Sequence, residues 1–483
     1  MLAPLSMTTP TTHLVNSDRA HQSASDAVYQ ARLLRAIPGG AHTYSRGSDQ
    51  FPSNAPSIFT HGEGVYAYTP DGRRYLDFAM ALGAVNIGYG EPCIVNAALQ
   101  GMKQGNGLSR PSMIELEAAE KLIDLVPSID MVKFTKNGST AVTAAVKLAR
   151  AFTGRELVAR CAQHPFFSYD DWFIGSTPVT RGITRGTISE TLTFNYNDIE
   201  SLERLLTQHK GKFAAVVLEP ATLVCPNVCG QGPCQGPITG CCSAKACTAR
   251  APNCKNFLHE VRELCDRHGV IMILDEMISG FRWDLRGAQH LLDVRPDITT
   301  FGKAMANGFS VACVGGRRDI MQLGSIEFAG TERVFLLSTT HGAEMCGLSA
   351  FLATVEFMQK NNVCEHLWNW GARFVQIFNR AAQGVGVSNR IKAGGPACKP
   401  GFLTLDEKGQ PCMALRTLFM QEMLKHNILM PQVVVAYRHG EAELQLVERA
   451  LAETMPVIAK ALRDGLENYI EGPLVKPVFR KLN

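Results

Sequence analysis

Two residues set the chemistry to look for. Lys303 stands in the stretch Asp297-Ile-Thr-Thr-Phe-Gly-Lys-Ala-Met-Ala-Asn-Gly, and Asp275 ends the strand-like run Val270-Ile-Met-Ile-Leu-Asp. An amine beside Phe301, Gly302 and Ala304 is not on a polar face, and a lysine in such surroundings is usually reactive or paired. A carboxylate at a strand end in an open α/β sheet lies where ligands bind. Singly, each has a plain reading: a loop lysine lying over apolar neighbours, or an acid capping a turn. As a pair they are what pyridoxal phosphate needs. The amine forms a Schiff base with the aldehyde, and the carboxylate keeps the ring nitrogen protonated so that the ring withdraws electrons.

Other segments supply the remaining parts of such a site. Lys136-Asn-Gly-Ser-Thr-Ala follows a strand and opens a helix, so Asn137, Gly138 and Ser139 stand at a helix N-terminus, where anions are favoured. The same segment without a ligand is a simple N-cap. Met277 is placed to press on a ring face or to pack in the core. Phe166 or Phe167, in His164-Pro-Phe-Phe-Ser-Tyr, can stack on a pyridine. Thr339, in Ser338-Thr-Thr-His-Gly, offers a hydroxyl to a phosphate or caps the following helix.

These residues need a scaffold, and the chain of 483 residues, 46% of them hydrophobic, is long enough for two or three domains. From about Glu115 to Gly316, apolar strands alternate with helical periods. Strands are expected at Met131 to Phe134, Leu157 to Arg160, Phe213 to Leu218, Val270 to Leu274 and Val311 to Gly315, and helices at Thr140 to Arg150 and Asn256 to Arg267. The pattern predicts an α/β fold with a mostly parallel sheet covered by helices. Pro70-Asp-Gly joins a hairpin, and Ile428-Leu-Met and Gln432-Val-Val-Val-Ala read as strand-like in a helix-rich C-terminal part. The expected division is a loose tail over 1–25, the N-terminal part of a small domain over 26–95, a large domain over 96–343 and the rest of the small domain over 344–483. A net charge of +4 with 19% charged residues gives no field that points to nucleic acid. No apolar run is long enough to span a bilayer, and no secretory pattern opens the chain. The cytoplasm is the expected compartment.

Fifteen cysteines are unevenly spread: Cys225, Cys229, Cys234, Cys241, Cys242, Cys247 and Cys254 crowd one Gly/Pro-rich stretch. With few large apolar residues, that stretch needs a staple. In a cytosolic chain the favoured staple is a metal held by a subset of these thiolates, zinc or an iron–sulfur cluster, ahead of disulfides.

In order along the chain, Ile37-Pro-Gly-Gly, Thr135-Lys-Asn-Gly-Ser-Thr-Ala, Phe152-Thr-Gly-Arg, Leu274-Asp-Glu-Met-Ile-Ser-Gly-Phe-Arg, Thr299-Thr-Phe-Gly-Lys and Gly315-Gly-Arg-Arg-Asp-Ile-Met resemble the class III, fold type I pyridoxal phosphate aminotransferases, close to the glutamate-1-semialdehyde aminomutase group. The resemblance implies a large domain with a seven-stranded, mostly parallel sheet and a smaller α/β domain built from both chain ends. It implies Lys303 as the Schiff-base lysine and Asp275 on the ring nitrogen. Asn137, Gly138 and Ser139 would hold the phosphate, with Phe166 as the stacking aromatic. Thr339 would reach the phosphate of a neighbouring subunit, so a homodimer with shared sites is expected. Arg46 matches an arginine on the substrate carboxylate. The cysteine stretch, 221–255, is longer than the family loop after Glu219-Pro220. The implied reaction moves an amino group from a donor to an aldehyde or ketone acceptor through the Lys303 aldimine. One alternative is the intramolecular amino shift of the aminomutase, from which the altered segments at Phe166-Phe-Ser and Met430-Pro-Gln point away. The other is a metal- or redox-sensing protein on an inactive scaffold, against which the retained Lys303 and Asp275 argue.

Overall fold

The computed structural model describes residues 18–226, 255–327, 329–330 and 332–482. A short antiparallel set opens the fold: β1 (His61–Glu63), β2 (Tyr66–Tyr68) and β3 (Arg74–Asp77), with Tyr68 opposite Arg74 across the Pro70-Asp-Gly turn. The main sheet follows, from β4 (Met131–Thr135), β5 (Leu157–Cys161), β6 (Thr191–Phe194), β7 (Phe213–Leu218), β8 (Ile271–Asp275), β9 (Ile298–Phe301) and β10 (Ala312–Gly316). Its order is β4-β10-β9-β8-β7-β5-β6. The pairs from β9 to β6 are parallel, and β10 runs antiparallel to both its neighbours. A hairpin of β11 (Ile391–Gly394) and β12 (Gly401–Thr404) comes later, and β13 (Ile428–Leu429) pairs with β3. That last pairing joins residues from opposite ends of the chain into one sheet.

The physical reason for the parallel sheet lies in its strands. Every residue of β7 and β8 is buried, because helices cover both faces and leave no wet side for polar alternation. On one face the helix Gly138–Thr153 packs Val142, Ala145 and Leu148 against Val217, Ile273 and Ile298. On the other, the helix Phe257–His268 buries Phe257, Leu258, Val261 and Leu264. Asn256 caps it by accepting from the Leu258 and His259 N–H groups, and Gly269, at φ +60°, ends it in the left-handed region.

Several segments differ from the sequence expectation, the unexpected strand β6 among them. The helix that opens the described chain runs Asp18–Ala36, so the final part of the expected tail is helical; the run holds neither Gly nor Pro and is rich in Ala and Arg, good helix formers. β9 covers Ile298–Phe301, where the eye goes to the turn around Lys303; the β-branched Ile298-Thr-Thr is the signal, and its threonines are fully buried. Val433–Ala436 is fully buried but forms no strand. Its segment spends N–H groups on Phe78, Asn86 and Ile87 carbonyls, on either side of a left-handed turn that breaks any ladder.

Candidate active site

The carboxyl ends of three neighbouring parallel strands bring the chemistry together. Leu218 pairs with Leu274, so Glu219 follows β7 at the level where Asp275 ends β8. Asp275 in turn pairs with Thr300 of β9, and Lys303 lies just beyond that strand. Asp275 is 2% exposed. Its Oδ1 accepts from the Met277 N–H (2.9 Å) and the Thr300 hydroxyl (3.1 Å). Both bonds fall on one oxygen, which leaves Oδ2 without a partner among the described residues. Burial pushes this carboxyl up to about 6, with the Met277 N–H, the Lys303 charge and the Thr300 hydroxyl pulling the other way.

Lys303 holds φ +45°, a left-handed backbone that costs a non-glycine residue about 1–2 kcal/mol. Such strain persists only where the surroundings fix it. Burial lowers the amine below the ordinary lysine value; Glu219 and Asp275 oppose this, and Arg282 adds to it. Arg282 is fully buried and donates to the Ile278 carbonyl (2.6 Å) and the Gly83 carbonyl (2.9 Å). It therefore ties the strand-end loop to the turn Met80–Gly83, where Met80, Ala81 and Leu82 all have positive φ.

The cradle is the N-terminus of the helix Gly138–Thr153. Asn137 Oδ1 accepts from the Thr140 N–H (2.9 Å) and hydroxyl (3.0 Å), so what Asn137 still offers an anion is its amide NH2. The Gly138 and Ser139 N–H groups have no acceptor among the described residues, as expected of a first turn. Ser139 Oγ accepts from the Tyr169 N–H (3.1 Å), which pins the segment carrying Phe166 to the cradle. Phe166 is 47% exposed and meets Phe173 edge to face, whereas Phe167 is in the core. Met277 packs with Ala141 and Ala312, between the cradle and the Lys303 turn. Thr339 is exposed, in a turn whose Gly342 lies against the Phe134 carbonyl, and Lys136 pairs with Glu344 at 2.6 Å just after that turn.

A group with a phosphate, an aldehyde and a ring nitrogen fits these residues. The open N–H groups of Gly138 and Ser139 suit the phosphate, the amine of Lys303 the aldehyde, and Asp275 Oδ2 the protonated ring. Arg46 is exposed, and its charge reaches the buried Asp77 and the partly buried Tyr89. Cys229, Cys234, Cys241, Cys242, Cys247 and Cys254 lie outside the described residues. Cys225 is described and its sulfur is in a disulfide, which corrects its expected role as a metal ligand, since a ligand must be a free thiolate. Among the described residues no cluster of His, Cys, Asp or Glu is able to hold a metal, and no helix is long and apolar enough to cross a membrane.

Sequence reasoning passed over Glu219, Arg282, Thr300 and Lys399 as site residues. Glu219 was legible, since it follows a strand as Asp275 ends one. It is 4% exposed, and its Oε1 has no partner among the described residues.

Fold and site together define a fold type I, pyridoxal phosphate-dependent transferase. The family model described as aminotransferase class-III matches residues 45–223 and 250–404, and the chain belongs to that family. Among its relatives, the 3-aminobutyryl-CoA aminotransferase of Cloacimonas acidaminovorans is 30% identical over 430 residues, covering 88% of this chain and 95% of that one. The glutamate-1-semialdehyde 2,1-aminomutase of Chlorobium luteolum is 34% identical over 384 residues, 76% of this chain and 81% of that one. Among solved structures, the pyridoxal phosphate-bound FumI protein of Sphingopyxis sp. MTA144 has a TM-score of 0.76 at 22% identity, covering 91% of this chain and 98% of that one. The chain is a pyridoxal phosphate-dependent enzyme.

Proposed function

We propose that Lys303 and Asp275 carry an amino-group transfer from an amino donor to an aldehyde or ketone acceptor. The observation that carries the assignment is an amine without a hydrogen bond beside a buried carboxylate that keeps one oxygen open. Pyridoxal phosphate, when bound, supplies an aldehyde carbon that takes the amino group and a protonated ring that withdraws electrons. Lys303 Nζ would hold the cofactor through its aldehyde carbon and, as a free amine, would take the proton from the donor α-carbon and hold it at Nζ. Its lowered proton affinity suits the base role. Asp275 Oδ2 would pair with the ring nitrogen and keep it protonated. Gly138 and Ser139 bind the phosphate through their N–H groups, assisted by the Asn137 amide. Met277 and Phe166 bound the ring space, and Arg46 takes a substrate carboxylate from the N-terminal segment. Borohydride treatment of the holoenzyme tests this: the cofactor mass should appear on the peptide bearing Lys303 and be absent in Lys303→Ala.

The relationship to an aminomutase at 34% identity keeps a second reading in play, an intramolecular amino shift on glutamate-1-semialdehyde. Turnover of that compound with no donor present decides for it. Nothing in the family or the site favours a sensor on an inactive scaffold.

A homodimer with shared sites follows from the same reading. Thr339 is exposed and so free to reach a partner's phosphate, and Leu99, Met102, Leu108, Met113 and Leu116 leave an apolar surface open. Light scattering should give twice the chain mass. The family match breaks over 224–249, within the cysteine-rich stretch, which supports an insert there. Zinc or an iron–sulfur cluster on its remaining cysteines rests on their density alone, and anaerobically purified protein without zinc or iron removes it. The eight free thiols outside that stretch speak for the cytoplasm as the compartment, and the disulfide at Cys225 speaks against it.

A further inference from the structure

The hairpin of β11 and β12 brings a second lysine to the site. Gly394 pairs with Gly401, and the tip between them turns at Lys399, whose N–H donates to the Pro396 carbonyl at 2.9 Å. Two close approaches fix where the tip lies. Gly371 faces the Ala397 carbonyl so tightly that a Cβ there would fall 1.7 Å from the oxygen. Leu223 sits between Gly395 and Gly401, with its Cδ2 2.2 Å from a Cβ built on Gly401. Leu223 comes four residues after Glu219, so the tip packs on the segment that leaves β7, and the charges of Lys399 and Glu219 reach each other.

Lys399 is partly buried and its amine has no hydrogen bond or ion pair among the described residues. The groups whose charges reach it are Arg282, Glu219, Lys303 and Cys398. Once Asp275 is committed to the ring nitrogen, Glu219 is the one carboxyl left whose charge reaches Lys399. Burial, with the Asp275 charge adding to it, pushes Glu219 up to about 8, while Lys303 and Lys399 oppose. Burial also lowers Lys399, to about 8, which still leaves it mostly charged at pH 7. Lys399 thus brings an unpaired ammonium, and Glu219 an unpartnered carboxyl, within electrostatic reach of Lys303.

We propose that Lys399 is a specificity-determining residue that binds a carboxylate of the amino donor, with Glu219 bonding the same group. This rests on the transfer reading above and names its substrate class: donors that are amino acids rather than simple amines. A charge-assisted hydrogen bond of this kind discriminates by roughly 10- to 100-fold.

The test compares two carbonyl reagents on the holoenzyme, aminooxyacetate and methoxyamine, which share a reacting group and differ by a carboxylate. Spectral titration should show the unmodified enzyme preferring aminooxyacetate by roughly 10- to 100-fold. Lys399→Met should abolish the preference, and Lys399→Arg should keep most of it. Equal weakening for both reagents in Lys399→Met would mark a merely structural lysine and overturn the proposal. So would an intact preference, or a loss of cofactor affinity that places Lys399 on the phosphate. Failure of the cofactor to attach at Lys303 in the unmodified enzyme sinks the transfer reading itself, and the borohydride mass separates that result from the others.

Discussion

Gly138 and Met277 stand so close that a Cβ on the glycine would lie 2.8 Å from the methionine Sδ. The same sulfur would lie 2.6 Å from a Cβ on Gly302, so Met277 is wedged between the phosphate cradle and the Lys303 turn. Gly138→Ala therefore has to move a side chain that has no slack. Overpacking of this kind costs about 1–3 kcal/mol, so cofactor affinity should fall roughly tenfold or more. The double variant Gly138→Ala, Met277→Ala should recover much of it. Fluorescence titration with pyridoxal phosphate reads the effect, and unchanged affinity in the single variant would show that the wedge does not exist.

Asp275 gives a pH dependence whose sign reverses with the cofactor. In the cofactor-free protein its carboxyl is raised to about 6, against about 3.9 when unfolded. The folded state then favours the protonated form. Its contribution to stability is full below the unfolded value and is lost as pH rises through about 6. A protonated ring nitrogen needs the ionised form, so cofactor affinity should hold above pH 7 and weaken as pH falls through about 6. Asp275→Asn should weaken both trends, Glu276 and Glu219 leaving a residual slope in stability, and slow turnover by orders of magnitude, each tenfold being about 1.4 kcal/mol of barrier. Melting curves of loaded and unloaded protein from pH 4.5 to 8 provide the check.

What the sequence made legible was local. Lys303, Asp275 and the cradle each follow a run whose period or apolar content marks a strand or helix, and the order of such runs carries the sheet. What it hid was assembled from distant segments. Lys399 has no local signature; the packing of Gly395 and Gly401 on Leu223 sets its hairpin against the segment that follows β7, where the Glu219 charge reaches it. The antiparallel sense of β10 and the pairing of β13 with β3 are long-range choices that no periodicity encodes. Val433–Ala436 has the composition of a strand, yet it lies along a left-handed turn that offers no ladder.

That turn stores strain. Met80, Ala81 and Leu82 have φ of +41°, +52° and +59°, where each non-glycine residue pays about 1–2 kcal/mol. The Tyr89 hydroxyl accepts from the Ala81 N–H (2.9 Å) and donates to Asp77 (2.7 Å), while Arg282 holds the Gly83 carbonyl. Ala81→Gly removes one methyl and relieves one strained residue. It should raise stability by about 0.5–1 kcal/mol, the backbone relief being partly offset by the freedom glycine gains when unfolded. Tyr89→Phe should act oppositely, by about 1–3 kcal/mol, because the buried Asp77 loses one of its donors and the Ala81 N–H loses its acceptor. Urea unfolding of both variants decides whether the turn is held against its own preference.

His439 locks the far side of this arrangement. Its Nδ1 accepts from the Ala436 N–H at 2.9 Å, and its ring stacks on Phe78 at 4.9 Å and meets Trp370 at 5.0 Å. Burial pulls the imidazole down to about 3, with the nearby His366 acting in the same sense. The unfolded value is about 6.5, so the fold favours the neutral ring. The stability this contributes is full above pH 6.5 and is lost as pH falls from there toward 3. His439→Asn can still accept from Ala436 but does not titrate. At pH 7.5 it should cost about 2–4 kcal/mol through lost packing against Phe78 and Trp370. Between pH 7.5 and 4.5 the variant should lose less stability than the parent. His164, also pulled to about 3 by burial, remains in both proteins and leaves a residual slope. Urea midpoints at the two pH values measure the difference, and parallel losses in parent and variant would mean that His439 is not the acid-sensitive group behind the turn.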